Sequence, residues 1–359
     1  MRVEKASNVK PRGRTATRII KLALPLILGL IVLAVLLAPA FISSEKGRRL
    51  ILAKINGAIT GKADFADLSM GWLKGIKVAN LSFNDAAGEI SVKVERVSTK
   101  PAYRSILTGK LSLGRTVIDK PRVEVNLHDL RERATKKPGD QPPVPGATGT
   151  VAWPIHTIDL VLNDGSVKVT DPKTGTVELS RINLRVDLQP PGEQSDFDLK
   201  MVVAQVDKAS EIKAAGSVTT KAEKGWSLKG TSGDLTVEVR DLDLESLGPI
   251  FALAGVEVEA KGVVNGTAKG KIKDGRFENL MTGVKARNLE VTAAQLKGDR
   301  LETAALDMTI QLSQGKKTIS VDTLKIESDF ACVAATGTVP TSFKTAADFL
   351  EADSGYDLK

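Results

Sequence analysis

Residues 182–188 read Ile-Asn-Leu-Arg-Val-Asp-Leu, with Ile182, Leu184, Val186 and Leu188 on one side of an extended chain and Asn183, Arg185 and Asp187 on the other. A period of two with one apolar side is the mark of a strand with one covered and one wet face. The same pattern spreads outward. Ile158, Leu160 and Leu162 lead into Asn163-Asp164-Gly165, a hairpin turn signal, and Val167 and Val169 lead out of it. Asp171-Pro172 to Gly175 makes the next turn. Toward the C-terminus, strands are expected at 197–203, 212–218, 226–230, 235–239, 256–264, 284–291, 306–312, 319–326 and 331–339, with a short helix over 247–254.

Toward the N-terminus, Ile90, Val92 and Val94 alternate with Ser91, Lys93 and Glu95 after Gly88, and Val123, Val125 and Leu127 do the same. Ile76 and Val78 share one parity while Leu81 and Phe83 take the other, which predicts a bulge near Ala79 and Asn80. Between these strands, 101–108 reads as a helical turn closed by Gly109. Asn80-Leu81-Ser82-Phe83, Asn183-Leu184-Arg185-Val186, Asp241-Leu242-Asp243-Leu244 and Asn288-Leu289-Glu290-Val291 repeat a polar residue, a leucine and a second apolar residue. Their unequal spacing reads as a recurrent strand-opening device without a strict solenoid period. Residues 131–154 carry five prolines and three glycines, cannot bury enough surface to order themselves, and read as a loop or linker.

The N-terminal segment follows another rule. Residues 22–42, LALPLILGLIVLAVLLAPAFI, contain no charge and are long enough to span the roughly 30 Å hydrocarbon core of a bilayer. The run exceeds the about 7 to 15 residues of a signal h-region, which favours an uncleaved transmembrane helix over cleavage at Ala38-Pro39-Ala40. Residues 1–21 hold seven basic side chains against Glu4, a net +6, so this tail is expected to stay cytoplasmic and the bulk of the chain to be exported. The whole chain carries +8, leaving +2 for everything after residue 21. The basic balance is therefore topological and gives no support to a nucleic-acid partner.

After the anchor, Ser43 or Ser44 can cap a helix in which Ile51, Leu52, Ile55, Ala58 and Ile59 recur at helical spacing. Arg48, Arg49 and Lys54 make it a basic amphipathic helix, placed either to reach lipid phosphates at the membrane surface or to cap the first sheet with its apolar stripe.

No phosphate loop, nucleophile elbow, His-Glu-x-x-His or Cys-x-x-Cys motif is present, so neither an enzyme nor a cofactor is expected. His128 and His156 are isolated, the acidic run Asp241, Asp243, Glu245 lacks the ligand count and glycine of a calcium loop, and no metal site is expected. Cys332 is the only cysteine, so no intramolecular disulfide forms, and a lone thiol in a strand pattern reads as a small core residue.

A membrane helix, an amphipathic helix ending in INGAITGKADFADLSMGW, then GIKVANLSFND, GEISVKVERVSTKPAYRSILTGKLSLGRTVIDKPRVEVNL and later LNDGSVKVTD resemble the start of AsmA-like and TamB-like envelope proteins. The resemblance implies an elongated, curled antiparallel sheet with an apolar concave face, related to bridge-like lipid transfer proteins. It also implies roles in moving phospholipid from the inner to the outer membrane and, in one branch, in assembling outer-membrane barrels. About twenty strands at roughly 4.8 Å would then extend about 90–100 Å. The chain ends at DFLEADSGYDLK, with 346–350 as a short helix, where such proteins usually continue, so a fragment or an open last edge is expected.

The fold expected is thus mainly β: a transmembrane helix and an amphipathic helix, followed by an elongated, curled antiparallel sheet forming an apolar groove. Closed β-sandwich domains are the alternative, because alternation is identical in both. The expected divisions are 1–21, a basic tail; 22–42, the anchor; 43–130, helix plus sheet; 131–154, the Pro-rich linker; and 155–359, continued sheet. Ile76, Val78, Ile90, Val92, Val94, Val123, Val125, Leu184 and Val186 are the candidate lipid-groove residues. The expected location is the inner membrane, single-pass, facing the periplasm. Expected partners are membrane phospholipids, with outer-membrane assembly proteins under the alternative function of a β-augmenting scaffold.

Overall fold

A computed structural model describes residues 37, 39–107, 111–127, 155–204, 209–220, 230–293, 299–315, 318–340 and 357–358. Of the apolar run 22–42, only residues 37 and 39–42 are among them, and these are helical. No helix among the described residues is long and apolar enough to cross a membrane. The Pro-rich segment 131–154, His128 and the short helix expected at 346–350 lie outside the described residues, as does all of the 226–230 strand except Gly230.

The chain enters through helix α1 (Glu45–Asn56), where the Ser44 hydroxyl accepts a hydrogen bond from the Gly47 N–H. β1 (Gly61–Asp64) and β2 (Asp67–Gly71) both pair with β3 (Gly75–Asp85), one along each half of it. β4 (Ile90–Pro101), helix α2 (Tyr103–Leu107) and β5 (Leu111–Asn126) follow. Beyond the undescribed connection come β6 (Ile155–Asp171), β7 (Gly175–Leu188), β8 (Gln194–Ala204), β9 (Ser210–Thr219) and β10 (Ser232–Asp243). A 3-10 turn (Glu245–Leu247) runs into helix α3 (Gly248–Leu253). The described chain closes with β11 (Val258–Lys273), β12 (Arg276–Ala293), β13 (Arg300–Gln314), β14 (Thr318–Ser328), β15 (Cys332–Pro340) and the two-residue β16 (Asp357–Leu358).

The sixteen strands among the described residues form one sheet in the order β1-β3-β4 and then consecutively to β16, with β2 beside β3. The two ends of this path do not pair with each other, so the sheet is open and the closed sandwich is not the fold. Fourteen steps at about 4.8 Å give a sheet about 70 Å long, shorter than the length expected from twenty strands. The strands are longer than their alternation suggested: β5 to β7 and β11 to β13 run for 14 to 18 residues.

Two expectations are corrected here. The sheet is antiparallel except at one seam, where β5 and β6 pair in parallel from Leu111↔Ile155 to Asn126↔Thr170. A parallel pair needs a crossover of a dozen or more residues, and the long Pro-rich interval falls at this connection. Asn163-Asp164-Gly165 is also not a hairpin. It is a bulge inside the 17-residue β6, where Leu162 pairs with Leu184 and Gly165 with Ile182.

The sheet also curls along its length. Leu247, Ile250 and Ala252 pack on a core of Leu127, Val169, Val177, Val203 and Leu242, which runs from the end of β5 to β10, and α3 also touches β11. Flat strands would set β6 and β11 about 24 Å apart, whereas the six residues of α3 span about 9 Å, so the strands wrap around the helix.

Candidate functional site: the apolar face of the sheet

Cross-strand register decides which side chains share a face, because directly opposed residues point the same way. Starting at Val78, the pairs run Val97, Ile118, Leu162, Leu184, Leu199, Ala214, Val237, Ala268, Thr282, Ile310, Leu324 and Ala335. This single row crosses every strand from β3 to β15, and only Thr282 in it carries a hydroxyl. Each member is half-buried, neither covered like a core residue nor fully in solvent. A parallel row contains Met70, Ile76, Leu160, Val186, Phe197, Leu235, Leu280, Leu312 and Val321, with glycines or threonines between. In that row Thr99 and Thr116 satisfy each other's hydroxyls at 2.8 Å.

A line of kinks borders these rows. Asn80, Lys120, Asp164, Arg181, Asp241 and Asn288 have φ between 47 and 51°, each in the middle of a strand. At Asp164 the left-handed residue coincides with register shifts on either side of Gly165, and Val167 and Val169 stay on the face that Ile158 to Leu162 began. At Ala79 and Asn80, where a bulge is expected, the strand instead kinks in register: Asn80 is left-handed at φ 50°, while Ala79 still pairs with Arg96 and Leu81 with Val94. The repeated Asn/Asp-Leu motif is corrected in meaning: it marks kinks inside strands, with Asn80, Asp241 and Asn288 themselves left-handed. In the remaining copy the left-handed residue is Arg181, and Asn183 repairs the distortion. Its Oδ1 accepts from the Asp164 N–H at 3.2 Å, and its Nδ2 donates to the Arg181 carbonyl at 2.8 Å. Asn265 similarly accepts from the Asp241 N–H at 2.9 Å.

The kinks divide the apolar side into two flanks. On one, Val169, Val177 and Val203 are at most 1% exposed beneath α3. On the other, the row from Val78 to Ala335 stays half-buried, although Leu68, which pairs with Val78 from β2, is only 8% exposed. The opposite side of the sheet is charged, with ion pairs such as Lys213–Glu211 at 2.9 Å, Lys271–Glu278 at 3.1 Å and Lys285–Asp307 at 3.0 Å. The Lys213 hydrogen bond holds the Glu211 carboxyl below the ordinary carboxylate range, and Lys271 does the same to Glu278. Such exposed pairs keep this face wet and contribute little stability each.

All nine groove candidates fall on the apolar side, but not on one flank. Val78 and Leu184 belong to the continuous row, and Ile76 and Val186 to its neighbour. Ile90, Val92, Val94, Val123 and Val125 lie beyond the kinks: Ile90 pairs with Val125 and Val92 with Val123, Val94 is buried, and Val125 packs against the core under α3. Sequence reasoning missed Ile118, Leu162, Leu199, Val237, Ile310 and Leu324, whose alternation was visible but whose register was not.

The basic helix is used unevenly. Arg48 turns back to Asp64 at 3.3 Å and lies 5.7 Å over the Phe65 ring, and Asn56 bonds both backbone groups of Ala63, so α1 caps β1. Arg49 pairs with Glu45 one turn back, and Lys54 is exposed. Asp241 bonds Asn265 and pairs with Arg287 at 3.5 Å. Among the described residues no group of His, Cys, Asp or Glu is placed to hold a metal ion. Cys332 is exposed at the start of β15, against the expectation of a core thiol.

An open sheet with one continuous apolar face and a charged back defines a class: an elongated β-groove of the AsmA-like and TamB-like lipid-transfer fold. The chain belongs to the YhdP protein family, whose profile matches residues 1–342. No curated protein matches it in sequence.

Proposed function

We propose that this protein is anchored in the inner membrane by residues 22–42, faces the periplasm, and carries phospholipid acyl chains along its apolar groove between the inner and outer membranes. The observation that carries this reading is the half-buried row from Val78 to Ala335. Apolar side chains left half-covered over thirteen strands are costly in water, and they suit an occupant that comes and goes. Each methylene kept from water is worth about 0.8 kcal/mol, so a tail moving from one row position to the next exchanges equivalent contacts. Net movement then needs only a difference in lipid content between the two ends. Headgroups remain in solvent at the open side.

The test is a set of full-length variants carrying Val78→Asp, Leu184→Asp and Val186→Asp, singly and together. Phospholipid recovered with the purified protein is measured by native mass spectrometry, and folding is checked by circular dichroism. The triple variant is expected to retain its β spectrum and to lose co-purified phospholipid and transfer between vesicles. Lipid capture equal to that of the unaltered chain would refute the groove.

A further inference from the structure

The turn between β2 and β3, Gly71-Trp72-Leu73-Lys74-Gly75, is the most conspicuous apolar exposure among the described residues. Leu73 is 94% exposed, far above the 36–65% of the other exposed large apolar side chains. Trp72 beside it is held in place, since the Tyr103 ring meets it edge-on at a centroid distance of 5.0 Å and the Tyr103 hydroxyl donates to the Gly71 carbonyl at 3.4 Å. The charges at this corner are basic, Lys74 on the turn and Arg104 on α2, both exposed. An exposed leucine, a fixed Trp–Tyr pair and flanking cations form the composition that favours a bilayer interface, where amphipathic rings sit at headgroup level and basic groups meet phosphate.

Position gives the second argument. The apolar run that precedes the sheet ends at Ile42, and the next residue, Ser43, is fastened to β2 by its hydroxyl, which accepts from the Met70 N–H at 2.8 Å. Leu73 lies three residues beyond Met70, within about 10 Å of that fastening. Wherever Ile42 leaves the membrane, the tip of this hairpin is therefore close by, about the thickness of a headgroup layer away at most.

We infer that the Trp72-Leu73-Lys74 tip, with Tyr103 and Arg104 of α2, is a wedge seated in the phospholipid headgroup layer of the membrane that holds residues 22–42. The inference rests on the anchor reading given above and adds a second point of contact to it. It also places the start of an apolar row at the lipid: Met70 pairs with Ile76 directly behind the tip, and Ile76 belongs to the row that continues to Leu160 and Val186. Two points of attachment fix the orientation of the sheet over the membrane, whereas a single helix would leave it free to swivel.

The test uses the full chain with Cys332→Ser, reconstituted in phosphatidylethanolamine–phosphatidylglycerol vesicles. A polarity-sensitive fluorophore is placed at Leu73→Cys, at Lys173→Cys on the opposite rim, and at Ala34→Cys within the apolar run. The Leu73 label is expected to shift to the blue and to be quenched by lipids spin-labelled near the headgroup, with the Lys173 label unaffected. A Leu73 label that stays water-like while the Ala34 label is quenched by lipid overturns the wedge and leaves the groove reading standing. A blue shift without lipid quenching also overturns it, in favour of a protein partner. If the Ala34 label is itself in water, anchor and wedge fall together. A lipid-embedded tip in a protein whose groove variants still capture lipid retains the wedge and removes the transport reading.

Discussion

At Gly165 a missing Cβ lets three strands approach closely. A methyl group there would lie 2.8 Å from Leu162 Cδ2, 3.2 Å from Pro121 Cγ and 3.4 Å from Ile182 Cβ, so a side chain at this position would crowd β5, β6 and β7 where they close over the bulge. Gly165→Ala is expected to destabilise the protein by about 1–3 kcal/mol through overpacking, read as a lower urea midpoint at unchanged slope. The dipeptide Asp164-Gly165 also shows what can be read locally. Asp164 does adopt the left-handed conformation that its sequence favours, with φ 51°. The same conformation serves a hairpin and a bulge, and the choice is made by Pro121 and Ile182, residues distant in the chain. Cys332 fails for a related reason: its strand was legible, but at this end of β15 both sides of the strand are open, with Cys332, Val333 and Ala334 all exposed, and alternation does not say which strands lack a cover.

Among the elements, the strand rows and the kinks differ in how openly the sequence declares them. Alternation located nearly every described strand, and the parity change between Val78 and Leu81 announced a distortion at Asn80, which is a left-handed kink without the register shift of a bulge. Strand ends were less legible. In β11, Gly262, Gly266 and Gly270 interrupt the pattern although the strand runs on from Val258 to Lys273. The kinks are where sequence and shape are most directly coupled, since asparagine and aspartate tolerate the left-handed region better than other residues with a side chain. Asn288→Val is therefore expected to cost about 1–2 kcal/mol. Asn288→Gly is expected to be close to neutral, with both compared by thermal unfolding. Equal destabilisation by the two would show that the asparagine side chain, and not its backbone conformation, is what β12 requires.

For the molecule as a whole, each strand touches its neighbours in the sheet and little else, apart from the block wrapped around α3. Stability in such an array is a sum of neighbour terms and need not be uniform. Hydrogen exchange followed by mass spectrometry is expected to find the slowest amides in β6 to β8, near Val169, Val177 and Val203, and faster exchange in β13 to β15. Uniform protection across the sheet would contradict this. Openness came from the family resemblance and not from alternation, which is the same in a sandwich, whereas the parallel seam and the two-flank division were legible in neither, since each is a statement about register. The continuity of the Val78–Ala335 row has one more consequence. Successive strands present the same register position, so a hairpin inserted or removed in frame rejoins the row on either side. Were β8 and β9 deleted, Leu184 would meet Val237 where it now meets Leu199, and the sheet would shorten by about 10 Å. Reach in this architecture is thus quantised, a ruler graduated in hairpins that duplication or loss of gene segments can reset without redesigning the interior.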